Sequence, residues 1–168
     1  MPTPAGPSMP EPWLLGSAYD SARFAADLGL GFAFAQFISP DGGQRVVREY
    51  RERFQPSPLL EAPRVILGVA AICAETDEAA HRVALSRHLM RLRREQGRPE
   101  GGVPSIEEAD TTVFTAPERD YLEYQRSLAL QGSPARVRRG LLDLVEEYAA
   151  DELMIVTITH DYADRMRS

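Results

Sequence analysis

The chain has 168 residues, 43% of them apolar and 26% charged, a composition that suits one globular domain able to bury a core. Its net charge of −6 argues against a nucleic-acid partner, because phosphate backbones are held by clustered cations. All 19 basic residues are arginine, which excludes Schiff-base chemistry and a Walker-type lysine.

No apolar run approaches the ~18 residues of a membrane span, and Met1–Pro10 lacks the charged start and apolar centre of a signal peptide. The single Cys73 cannot form an internal disulfide. The expectation is a cytoplasmic protein with no membrane partner. Cys73 lies inside an apolar run and reads as a small buried hydrophobe.

Residues 1–12 read as a Pro-rich irregular tail and residues 13–168 as the domain. Trp13–Leu15 looks like a short buried strand, and Ser21–Leu28 like a helix with Ala22, Ala25, Ala26 and Leu28 inward, ended by Gly29. Phe32–Ile38 follows as a second strand, apolar at nearly every position, as strands covered on both faces are. After the loop Ser39–Gly43, a helix over Gln44–Phe54 turns Val46, Val47, Tyr50 and Phe54 to one side and is stopped by Gln55-Pro56-Ser57-Pro58.

Arg64–Ala74 gives the longest strand, and Thr76 caps a long helix through about Glu95. Periodicity lapses between Gly97 and Pro117, with a helical turn at Ile106–Ala109; this loop and helix insertion extends to about residue 131 and includes a helix over Pro117–Leu128. Ser133 and Pro134 then open a helix as N-cap and first helical residue, with Val137, Leu141, Leu142 and Val145 inward. Glu152–Thr159 is the fourth strand, and Asp161 starts the last helix.

Alternating buried strands and amphipathic helices imply parallel pairing through right-handed crossovers, hence an α/β fold. Four β/α units make either a small open sheet or half of a (βα)8 TIM-type barrel, and in both the ligands gather at the strand C-terminal ends. At such an end stand Gly16, Ser17 and Ala18. A glycine lets backbone approach an anion, Ser17 adds a hydroxyl, and the helix opening near Asp20 or Ser21 aims unpaired N–H groups outward. The same residues also make an ordinary turn and N-cap.

Several blocks, in order, carry a resemblance to one family. They are Trp13–Ala18, Ala25–Leu30, Phe32–Ala35, Tyr50–Phe54 with Pro56-Ser57, Ala74–Ala79, Gly132–Pro134 with Val137, and Ala150–Val156, closed by Asp161, Arg165 and Ser168. The chain resembles the C-terminal half of luciferase-like flavin-dependent monooxygenases, matching strands five to eight of their barrel. The resemblance implies reduced FMN and O2 acting on a small organic substrate, and a separate flavin reductase. It also implies that the FMN phosphate sits at the Gly-Ser-Ser turn of the relatives, which maps onto Gly16, Ser17 and Ala18. Ala18 departs from that pattern and loses a hydroxyl. Gln36 stands where relatives often have His, so it donates a hydrogen bond but does not titrate.

The early strands, which in relatives supply much of the isoalloxazine pocket and the histidine discussed in catalysis, have no counterpart, so no catalytic residue is assigned. A half barrel leaves open edges and an apolar inner face, which implies a homodimer or a partner polypeptide supplying the first half. The alternative is a noncatalytic half barrel, a weak flavin-binding or interaction module.

Other polar groups read more plainly. His81 and His88, seven residues apart on one helix face, are too far apart to share a metal and read as solvated, and no metal site is expected. His160 and Asp161 lie at a strand end, with Asp161 as a cap. Glu75, Asp77 and Glu78 complement a helix dipole, and Arg91, Arg93 and Arg94 coat a helix face.

Overall fold

The computed structural model describes residues 10–98 and 101–168. They form two compact units, one reaching to Gly68 and including Val145–Met154, the other made of Val69–Leu144 and Ile155–Ser168. Most of the expected Pro-rich tail lies outside the described residues, and Pro10–Pro12 are irregular.

In the first unit β1 (Trp13–Gly16) pairs in parallel with β2 (Gly31–Ala35), Trp13 opposite Gly31 and Gly16 opposite Phe34. β2 pairs in parallel with the start of β3 (Val65–Cys73), Phe32 opposite Val65 and Ala35 opposite Gly68. Parallel neighbours need long crossovers, which α1 (Tyr19–Asp27) and α2 (Gly43–Arg53) supply. The apolar run expected to continue as strand to Ile38 ends at Ala35, because the N–H groups of Gln36, Ile38 and Ser39 turn back to the carbonyls of Phe34 and Ala35.

Phe32 and Phe34 are fully buried, with ring centroids 5.3 Å from Tyr50 and 5.9 Å from Tyr148 respectively. The Tyr50 hydroxyl donates to the Leu30 carbonyl at 2.9 Å and accepts from the Arg64 N–H at 3.1 Å, so α2 is tied to the entrances of both β2 and β3. Burial pushes this phenol above its ordinary pKa, keeping it neutral and able to donate. On the outside, Arg53 grips Asp27 through two hydrogen bonds of 2.6 and 2.9 Å, and Arg23 meets Glu49 at 2.5 Å, joining α1 to α2.

A second brace gathers residues distant in sequence. The Asp151 carboxylate accepts from the Val65 N–H at 2.7 Å and from Arg51 at 2.8 Å, while Arg51 also donates to the carbonyls of Ala149 and Pro63. Asp151 thereby fixes the chain just before β5 (Glu152–Val156), which pairs with β3. Ala149 makes the turn into this brace with φ +47°, a left-handed conformation that glycine adopts more readily.

In the second unit the end of β3 pairs in parallel with β4 (Leu130–Gly132), Ala71 opposite Leu130 and Cys73 opposite Gly132. The described residues thus hold five strands where four were expected: three residues, one of them the polar Gln131, are too few to declare a strand by periodicity. α3 (Asp77–Glu95) opens with Thr76 accepting from the Ala79 N–H at 3.1 Å. Leu89 and Leu92 pack with Ala109 of α4 (Ile106–Thr111) and with Phe114, Tyr121 and Leu122, the last two on α5 (Ala116–Leu128). α6 (Pro134–Tyr148) starts after Ser133 as expected, and α7 (Tyr162–Arg167) after Asp161, whose carboxylate accepts from the Ala163 N–H at 2.7 Å. Among the described residues no helix is long and apolar enough to cross a membrane.

Replacing Tyr50 by Phe should leave the part-buried Leu30 carbonyl and Arg64 N–H without this hydroxyl, and chemical denaturation should show a loss of about 1 kcal/mol. Ala149→Gly should raise stability by about 0.5–1 kcal/mol in the same measurement, since the left-handed strain is relieved at a modest entropic cost.

Candidate functional site

The turn from β1 into α1 is built around Ser21. A Cβ at Gly16 would lie 2.0 Å from the Ser21 Oγ, so glycine is required there for the first turn of α1 to close on the strand end. The Ser21 hydroxyl donates to the Ala18 carbonyl at 2.7 Å and lies 3.4 Å from the Ala18 N–H, a weak contact. Ala18 is the N-cap residue with extended backbone and has no hydroxyl of its own. The amides of Tyr19, Asp20 and Ser21 belong to the first helical turn, where no intrahelical acceptor is in reach. Ser17 is half-buried, whereas Ala18, Tyr19 and Asp20 are exposed.

These donors match the acceptor oxygens of a phosphate, and Gly16, Ser17 and Ala18 are contiguous at the C-terminal end of a parallel strand. The charges match less well. Asp20 stands in the first turn, and the neighbouring cation, Arg23, lies 3.9 Å from Asp20 and 2.5 Å from Glu49. An anion placed here would meet amides and a hydroxyl rather than a free guanidinium.

The second unit has a cavity of about 540 Å³ at the end of β3, with Cys73, Glu75, Arg82, Glu107 and Asp164 among its walls. Cys73 is half-buried. The His160 Nδ1–H donates to the Val103 carbonyl at 2.7 Å. Asp161 is a helix cap. Asp77 does more than complement a dipole: its carboxylate accepts from the Ser133 N–H at 2.7 Å and from Arg136 at 3.2 Å, and the Ser133 bonds hold it below the usual carboxylate range. Arg93 pairs with Glu108 at 2.6 Å, stapling α3 to α4.

The expectation that His81 and His88 are solvated is corrected. His81 is half-buried and His88 is 3% exposed, because α3 is covered on more than one side. The His88 Nε2 lies 3.1 Å from the Gln131 Oε1, and the Nδ1 has no partner. Burial lowers the His88 pKa to about 4, so the ring is neutral at pH 7. Arg87 and Gln131, both buried and both absent from the sequence reading, join it. Nothing in their local pattern marks them: an arginine on a polar-looking helix and a glutamine between Leu and Gly carry no periodic signal.

A parallel α/β sheet carrying an anion-type turn at a strand end defines the class of (β/α) proteins that place small ligands at their strand C-termini. The luciferase-like monooxygenase family model matches residues 1–152, and the chain belongs to that family. Protein YwcH of Bacillus subtilis (strain 168) is 39% identical over 159 residues, 95% of this chain and 48% of YwcH. A luciferase-like monooxygenase of Escherichia coli (strain K12) is 34% identical over 157 residues, 93% of this chain and 46% of that protein. The crystal structure of apo-MsnO8 superposes with a TM-score of 0.82 at 35% identity, covering 99% of this chain and 50% of that one. The chain spans about half the length of the curated relatives it matches.

His88 predicts a pH dependence. Its folded pKa of about 4 lies below the ordinary value of 6.5, so between these values the unfolded chain binds a proton that the native state does not. Stability is full above pH 6.5 and falls as the pH drops toward 4; His81, also lowered by burial, adds in the same direction. Melting curves of His88→Gln should show a shallower decline than the parent across this window.

Proposed function

We propose that the chain is the second half of a flavin-dependent monooxygenase barrel, its four main β/α units corresponding to strands five to eight. Gly16, Ser17 and Ala18 hold the phosphate of FMN. The observation that carries this reading is the β1–α1 turn, where Ser21 closes the first helical turn on Gly16 and leaves first-turn amides facing outward. Reduced FMN, when bound, supplies the electrons that activate O2 for transfer of one oxygen atom to a small organic substrate. The chain's own part is to donate from backbone amides and the Ser17 hydroxyl to the phosphate, and to offer Gln36, half-buried after β2, as an untitratable donor.

Completion of the barrel falls to a second copy or to a polypeptide carrying the first half. Leu15 on the edge strand β1 is 70% exposed, and Met154 of β5, in the same unit, is 51% exposed. Apolar side chains on open strands favour association. A separate flavin reductase in the cytoplasm would deliver the reduced cofactor.

A noncatalytic flavin-binding or interaction module is the second reading, favoured by Ala18 and by the Asp20 carboxylate in the first turn. Turnover with reduced FMN, O2 and candidate substrates, alone and with a first-half polypeptide, separates the two.

Ala18→Ser should act twice. As a better N-cap it should raise stability by about 1 kcal/mol without flavin, and as a phosphate donor it should tighten FMN by roughly 5-fold in fluorescence quenching while leaving riboflavin unchanged. An equal effect on FMN and riboflavin would place the phosphate elsewhere. Sedimentation at micromolar concentration should give a dimer, and Leu15→Glu should shift it to monomer; a monomeric parent removes the self-association reading.

A further inference from the structure

Arg87 on α3 is 7% exposed, yet no carboxylate among the described residues pairs with it. Arg91, one turn on, opposes its charge, and the acidic group acting on it is the Tyr121 phenol. Burial raises the pKa of that phenol, which is therefore neutral at pH 7 and supplies no counter-charge. Burial lowers the Arg87 pKa only to about 10, so the guanidinium stays cationic. Such an interior cation is stabilised by an anion from outside the chain.

A void beside it sets the size of that anion. Arg87 and Gln131 line it with Ala70, Ile72, Val156 and Ile158, all in the second unit. Its volume is about 10 Å³, room for one water-sized particle, which shuts out a carboxylate, a phosphate or any organic body. The donors set the sign. Gln131 is 3% exposed, and its Oε1 is engaged by the His88 Nε2 at 3.1 Å, so the amide NH2 is the end left for the void. The guanidinium and this NH2 both donate, and neither accepts. A water would accept from both but keep two hydrogens of its own, which the alkyl side chains of Ala70, Ile72, Val156 and Ile158 cannot accept. A monatomic anion has no hydrogen to place and carries the charge that Arg87 lacks.

We propose that this void binds a single chloride ion, held between the Arg87 guanidinium and the Gln131 NH2 and enclosed by alkyl side chains. The ion ties α3 to β4, the two elements that carry its donors. The site lies in the second unit and stands without the flavin reading.

The test is thermal unfolding of the whole chain without flavin, with methanesulfonate exchanged stepwise for chloride at fixed sodium concentration and ionic strength. Chloride should raise the melting temperature saturably by a few degrees, and formate in its place should not. Gln131→Glu sets a carboxylate beside Arg87; it should melt higher than the parent in the chloride-free buffer and lose the chloride response. Arg87→Met keeps the length of the stem and removes the charge, and it too should lose the response; if Gln131→Glu does not fold, this variant decides. A parent that melts alike in chloride and methanesulfonate holds only water in the void, which overturns the assignment. A formate response equal to that of chloride, or a folded variant that follows chloride as the parent does, overturns it as well.

Discussion

Parallel pairing of β1 with β2 is the constraint from which the rest of the first unit follows. Two parallel strands cannot be joined by a tight turn, so the chain must cross back through a helix that starts where β1 ends. That start puts the first-turn amides of α1 beside Gly16. The register Gly16 opposite Phe34 then links the turn to the core, because Phe34 is fully buried and stacked on Tyr148. Substitution in the aromatic core therefore reaches the turn through one strand pair.

The arginine-only cation set shapes the electrostatics of both units. Arg51 spans two carbonyls and the Asp151 carboxylate at once, a geometry that the planar, many-donor guanidinium permits and a lysine ammonium does not reproduce. Arg53 on Asp27 uses the same fork for a two-point contact. Arg87 differs from both: it is 7% exposed, and no carboxylate among the described residues pairs with it.

Much of the architecture was legible because local chemistry and global packing agree. The run Phe32–Ala35 is buried on every residue, Gly29 ends α1 with φ +63°, and Thr76, Ser133 and Asp161 stand at the starts of their helices. The α/β class followed from that alternation, and the family from blocks strung along it. What escaped is what periodicity cannot encode. α3 is covered on several sides, so its polar residues His88, Arg87 and Ser86 are interior although a one-sided helix would leave them in water. β4 is too short to alternate. At the turn, Gly16 and Ser17 were visible, but the part played by Ser21 depends on a contact that only the folded helix makes.

The turn and the family membership bear on each other through charge. A phosphate held by amides and one hydroxyl, with Asp20 in the same turn and Arg23 engaged by Glu49, lacks the cation that would make such a contact strong. In the proposed barrel a positive charge could be supplied by the other half, since this chain spans about half of its relatives. Flavin affinity and completion of the barrel are then one requirement rather than two. On that proposal the half described here would orient the phosphate at the strand end, and the charge that tightens it would arrive with the strands that cover Leu15.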